Sequence, residues 1–190
     1  MPTEYTAENL VMGPAKIYIA PFGTTEPADA SVNSAPLASA GWVYLGGTND
    51  GVEKTLEQTY ENFQVDQSVM SPGARLTEVS FKVKTNLAEP TLQNLVYVLN
   101  DGSTASGVGY ETYEPEFGSS ATQSTYRALI IDGYAPGGND LKRRVIIRKV
   151  LSTDNVEFAY KSDTQTVFSV QWEAFDPGNG APYKFIDEVA

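Results

Sequence analysis

Carboxylates have the most scope for chemistry in this sequence, with 24 Asp and Glu against 13 Lys and Arg. A carboxylate enzyme needs a pair in which one member is shielded enough to stay protonated. Glu114 and Glu116 are closely spaced, but they sit in a Gly/Ser/Thr-rich stretch with no apolar shielding, so the pair lacks what acid catalysis needs. Asn49-Asp50-Gly51 with Glu53 resembles a fragment of a calcium loop, but the ligand spacing is incomplete and a tight turn is the simpler reading. Lys142-Arg143-Arg144 is the only basic cluster. It could meet phosphates, form a solvated turn, or be one side of a charge-complementary contact. Histidine is absent, which removes the commonest general base and metal ligand and any Ser-His-Asp triad. Cysteine is absent too, so there is no thiolate nucleophile, thiolate metal site or disulfide. No phosphate loop or GxGxxG pattern is present. The expectation is no enzyme, no cofactor and no metal.

The net charge of −11 should repel nucleic acid at long range. Its bland reading is solubility; it acquires a function if acidic groups line a surface that DNA must pass. With 190 residues, 41% of them hydrophobic, the chain can bury one core, and we expect a single domain over 1–190. No apolar run is long enough to span a membrane, and MPTEYTAENL does not read as a secretory signal. Cytoplasmic synthesis without export is expected.

The element around which the rest is built lies at 75–99. Residues 75–85 alternate, with Val79, Phe81 and Val83 on one face and Ser80, Lys82 and Lys84 on the other, the period of a half-buried strand. Pro90 suits a first helical position, and Leu92, Leu95, Val96 and Leu99 form one apolar helical stripe that should pack on a sheet. Asn100-Asp101-Gly102 should end that helix. Before it come a polar arm (1–14), a short strand (15–21) with Ile17 and Ile19 opposite Lys16, Tyr18 and Ala20, and a long loop (22–40). A second strand, 41–47, carries Trp42 as an anchor. The segments 52–58 and 60–66 read as extended with no fully apolar face, suggesting strands that leave the core and pair with another chain. A loop at 67–73 carries Val69 and Met70. Further on are a flexible loop (101–124), a central strand (126–132), a hairpin pairing 143–152 with 155–159, an alternating strand (165–175) and a C-terminal arm (176–190). Short strands between Gly/Pro turns predict a mainly β fold, a β-sandwich or barrel with one helix.

The ordered runs GPAKIYIAPFGT (13–24), GWVYLGGTNDGVE (41–53) and VDQSVMSPG (65–73), followed by the strand–helix unit, resemble the major tail protein, or tail tube protein, of long-tailed bacteriophages. The likeness spans most of the first half of the chain and continues weakly through the Val145 and Phe168 strands. It implies a helix-flanked β-sandwich whose subunits join in hexameric rings through an inner β-barrel. Stacked rings would form a virion tail tube through which DNA leaves the capsid without specific binding. It also implies partners: further copies of the chain, tape measure, tail tip and terminator proteins. Within that frame Glu53, Glu57 and Glu61 are candidates to face the lumen. Gln67, Ser68, Val69, Met70 and Pro72, with the loop 22–40, are candidates for ring-stacking or subunit contacts. The tube of a contractile injection or secretion machine is a related option. A carbohydrate- or protein-binding β-sandwich is the different-class alternative, with Tyr110, Tyr113 and Phe117 as a possible sugar platform or simply packing groups.

Overall fold

The fold turns on one long strand that changes partners along its length. The computed structural model describes residues 6–116, 124–138, 140–157 and 159–189. Strand β8 (Lys142–Ser152) pairs on one side with β7 (Arg127–Tyr134). On its other side its first half takes β10 (Tyr183–Asp187), while its last residues, from Val150, take β9 (Phe168–Ala174). Beyond β7 lie β1 (Lys16–Pro21) and the short β2 (Val43–Tyr44). Beyond β9 lie β4 (Ala74–Leu87) and β3 (Thr48–Asn62), and every pairing is antiparallel.

The sheet folds over at β8, so its two wings meet face to face. Ile17, Ile19, Leu129, Ile131, Val145 and Ile147 from one wing pack with Phe81, Val83, Leu87, Phe168, Val170 and Trp172 from the other. This is the sandwich-like, mainly β fold expected from the alternating pattern, with one short helix, α1 (Leu92–Val98).

The outer face of β1, β7 and β8 is buried as well. Tyr18 and Ala20, which alternation alone would leave wet, join Trp42, Ala128, Ile130 and Ile146 in a second apolar cluster. Segment 22–41 covers this face. Trp42, 2% exposed, donates its indole N–H to the Thr25 carbonyl at 3.1 Å. The long loop is therefore a lid on the sheet, with single 3-10 turns at Asp29–Ser31 and Ala38–Ala40.

The helix is shorter than its pattern suggests. Thr91, not Pro90, sets the start: its hydroxyl accepts from the Asn94 amide at 3.1 Å as the N-cap. Asn94, Val96 and Val98 are buried, Leu92 and Leu95 are half-buried, and Leu99, expected on the packed stripe, is 42% exposed. The stripe shifts because Asn94 turns inward and donates to the Leu45 carbonyl at 3.0 Å and the Glu89 carbonyl at 2.8 Å. Asn100 takes the left-handed position after the helix (φ 66°), and its amide bonds Ser152 in both directions, at 2.7 and 2.8 Å.

Three further expectations change. Asn49-Asp50-Gly51 does not reverse the chain: it is a bulge inside β3, with Asp50 at φ 64° and Gly51 at φ 78° opposite Asn86 and Thr85. The turn chemistry produces left-handed backbone, but the pairing partner is a later strand. The region 101–124 contains a hairpin of β5 (Ser103–Gly107) and β6 (Tyr110–Glu114), while 117–123 lies outside the described residues. No strand forms at 155–157 or Ala159, Phe158 lying outside the described residues; β7, β9 and β10 already occupy the edges of β8.

Candidate assembly surfaces

The segments read separately as 52–58 and 60–66 are largely one strand. β3 pairs with β4 from Val52 to Asn62, with one register shift between Thr59 and Tyr60, forming a hairpin whose outer half extends past the core. The last core residue on β4 is Phe81, opposite the exposed Leu56, and the strands continue to Asn62 opposite Ala74. At about 3.3 Å per residue, the outer arm projects roughly 20 Å.

Residues directly opposite in an antiparallel pair share a face, so the register sorts the hairpin into two unlike surfaces. One face carries Glu53 opposite Lys84, Thr55 opposite Lys82, Glu57 opposite Ser80 and Glu61 opposite Arg75. β9 extends it with Gln171 and Glu173, and Ser80 donates to the Glu173 carboxylate at 3.5 Å. The three candidate glutamates thus stand in one row on a wholly polar face. That face is mixed rather than purely acidic, because β4 interleaves lysine and arginine. The other face is predominantly apolar: it continues outward from Phe81 through Leu56, Val79, Tyr60 and Leu76, all exposed, with Gln58 and Asn62 the polar members of the outer arm and Lys54 further in. A bulge at Thr77 keeps Leu76 in that row despite its odd spacing from Val79.

Serines shape the end of the hairpin. Ser71 donates to the Phe63 carbonyl at 2.6 Å, Ser68 donates to the Met70 carbonyl at 2.8 Å, and the Phe63 amide donates to the Gly73 carbonyl at 2.9 Å. Hydroxyls thereby satisfy a tight turn and leave the apolar side chains outside. Val69 is fully exposed, Met70 is 82% exposed, and Gln67, Ser68 and Pro72 are also exposed.

The lid and the C-terminal strand are held by charge. Arg144, fully buried, grips Asp132 through Nε and Nη2, both at 2.7 Å, and donates to the Ser31 and Ser34 carbonyls at 3.2 and 2.6 Å. Arg148 binds Glu26 at 2.5 Å and the Ala181 carbonyl. Lys184 pairs with Asp29, and Glu188 accepts from Asn33 and from the Lys142 amide. Arg143 donates twice to Asp187, at 2.6 Å each. Those hydrogen bonds, followed by the attraction of the guanidinium charge, hold the Asp187 carboxyl below its ordinary range despite some desolvation. Lys54 is exposed overall, yet desolvation of its ammonium, with the Arg143 charge second, lowers its pKa. The basic cluster is thus the inner half of a charge-complementary contact within the chain. Its partners Asp132 and Asp187 lie on other strands, β7 and β10, beyond the reach of local pattern.

The aromatic residues proposed as a platform do not form one among the described residues. Tyr113 is half-buried and donates to the Asp101 carbonyl at 3.1 Å, Tyr110 is exposed beside Gly107, and Phe117 lies outside the described residues. The Tyr113 phenol is pushed up by desolvation first and Asp101 second. No group of His, Cys, Asp or Glu among the described residues could hold a metal, and no described helix is long and apolar enough to cross a membrane.

The surfaces this fold displays are therefore a two-faced arm, an exposed tip carrying Val69 and Met70, and a clamped lid. Comparison with curated proteins returns no match. The family model described as phage tail tube protein matches residues 2–190, nearly the full length, and the chain belongs to that family.

Proposed function

We infer that this tail tube protein, a structural component of the virion tail that self-assembles with other tail proteins, acts as one tube domain over 1–190 and forms hexameric rings that stack into a hollow conduit. The observation that carries the reading is the division of the β3–β4 arm into a wholly polar face and a predominantly apolar one, broken only by Gln58 and Asn62 on the outer arm. An exposed apolar sheet face is unfavourable in water and calls for a covering partner. A long edge strand also needs a partner or a closed ring to satisfy its free backbone groups. Burying the apolar face between subunits would leave the row of Glu53, Glu57 and Glu61 toward the central channel. A polar, net-acidic wall offers DNA few phosphate contacts and lets it slide during ejection. The tip residues Gln67, Ser68, Val69, Met70 and Pro72 would then reach the adjoining ring. Tape measure, tail tip and terminator proteins are the expected further partners.

Negative-stain electron microscopy of the concentrated protein, beside size-exclusion of a fresh sample, tests this reading. Hollow tubes or stacked rings are expected, with end views giving the ring symmetry. A chain that stays monomeric even with tail-tip components added would overturn it.

A further inference from the structure

The projecting tip and the lid are complementary surfaces on the same chain. Segment 22–41 is not flat where it covers the sheet: it curls around a cavity of about 390 Å³. Pro27, Ala35, Pro36, Leu37 and Ala40 line it, with Trp42 also in its wall. Arg144, donating to the Ser31 and Ser34 carbonyls, and Arg148, paired with Glu26, hold the lid at residues that line the cavity. Leu37 lines the cavity and is exposed. On the arm, the serine-closed turn does the opposite and pushes Val69 and Met70 into solvent.

We propose that the Val69–Met70 tip of one subunit seats in the Trp42 cavity of another copy, so that the two candidate contact segments are each other's partners. This rests on the tube reading above. The occupant is a second copy because the chain belongs to a tail tube family, and a tube built from copies of it would bring tips and sockets together at high local concentration. The chemistry matches: methionine is unbranched and polarizable, fills irregular apolar space and makes favourable contacts with aromatic rings. The geometry matches as well. A knob and a socket at different places on one chain form a heterologous contact, which propagates instead of closing into a dimer. A rigid socket and a preorganised tip also lose little freedom on docking.

The chain has no cysteine, so a disulfide reporter is clean. Met70→Cys and Leu37→Cys variants are prepared separately, mixed in equal amounts, assembled and mildly oxidised. A disulfide forms only where the two Cα atoms come within about 7 Å. The expected result is a disulfide-linked dimer in the mixed tubes that is absent when either variant is assembled and oxidised alone. Val69→Cys with Ala40→Cys is the second reporter pair. Tubes that assemble but show no dimer with either pair overturn the socket and leave the tube reading standing. A wild-type chain that never assembles, even with tail-tip components added, overturns the tube reading, and the socket falls with it.

Discussion

Arg144 and Asp132 face each other across β7 and β8 as register partners, joined by two hydrogen bonds of 2.7 Å with the guanidinium fully buried. The same guanidinium carries the lid through Ser31 and Ser34, so one side chain couples the central sheet to the segment that covers it. Removing one partner of a buried pair leaves an uncompensated charge, which costs about 3–5 kcal/mol. Arg144→Met is expected to lower stability by that order, read from the denaturant midpoint by tryptophan fluorescence, with Trp42 reporting the lid. Arg144→Met combined with Asp132→Leu should recover much of the loss, because an apolar pair leaves no buried charge. An Arg144→Met variant as stable as wild type would mean that the pair does not hold the lid.

The bulge in β3 isolates a backbone cost. Gly51 has φ 78°, and a Cβ added there would meet nothing within 4 Å. Gly51→Ala should therefore cost about 1–2 kcal/mol from left-handed backbone alone. At Gly46, φ 88°, the new Cβ would also lie 2.4 Å from the Glu89 carboxyl carbon, and Glu89 is held by the Gly47 amide at 2.8 Å. Gly46→Ala is expected to cost more than Gly51→Ala in the same equilibrium unfolding measurement. Equal costs would show that Glu89 moves aside freely.

Acid should loosen the C-terminal strand. The Asp187 pKa is lowered in the folded chain, so its contribution is complete above the unfolded value of 3.8 and is lost as pH falls through the lower folded value. The expected loss begins below about pH 4. Asp187→Asn should flatten this acid limb of the stability profile while leaving the neutral plateau slightly lower. An unchanged acid limb would assign it to other carboxylates.

Charge reversal on the polar face tests the lumen assignment. Glu53→Lys would face Lys84 and Glu61→Lys would face Arg75, adding like-charge pairs worth about 0.2–1 kcal/mol each against the fold. Glu57 faces Ser80, so Glu57→Lys changes charge without creating such a pair. Tubes of Glu57→Lys should assemble normally, and phage carrying it should eject DNA more slowly, with the delay shrinking as salt rises. Normal ejection kinetics would remove Glu57 from the lumen.

Local pattern determined much of this protein. Alternation at Phe81 and Val83, and again at Phe168, Val170 and Trp172, marked the core strands because burying one face imposes a period of two. Missing histidine and cysteine narrowed the possible chemistry before any fold was known. What pattern could not reveal depended on partners distant in sequence. Tyr18 and Ala20 are buried because Trp42 and Ile186, distant in sequence, join the apolar cluster on their face. Asp50-Gly51 is a bulge because β4 takes up the pairing past it. Asn94 points inward because the Leu45 carbonyl waits there. The row of Glu53, Glu57 and Glu61 became visible as one surface only when the register joined two segments into one strand. Periodicity reports which residues share a face, but only the tertiary structure decides what covers that face, since covering it is the work of residues elsewhere in the chain.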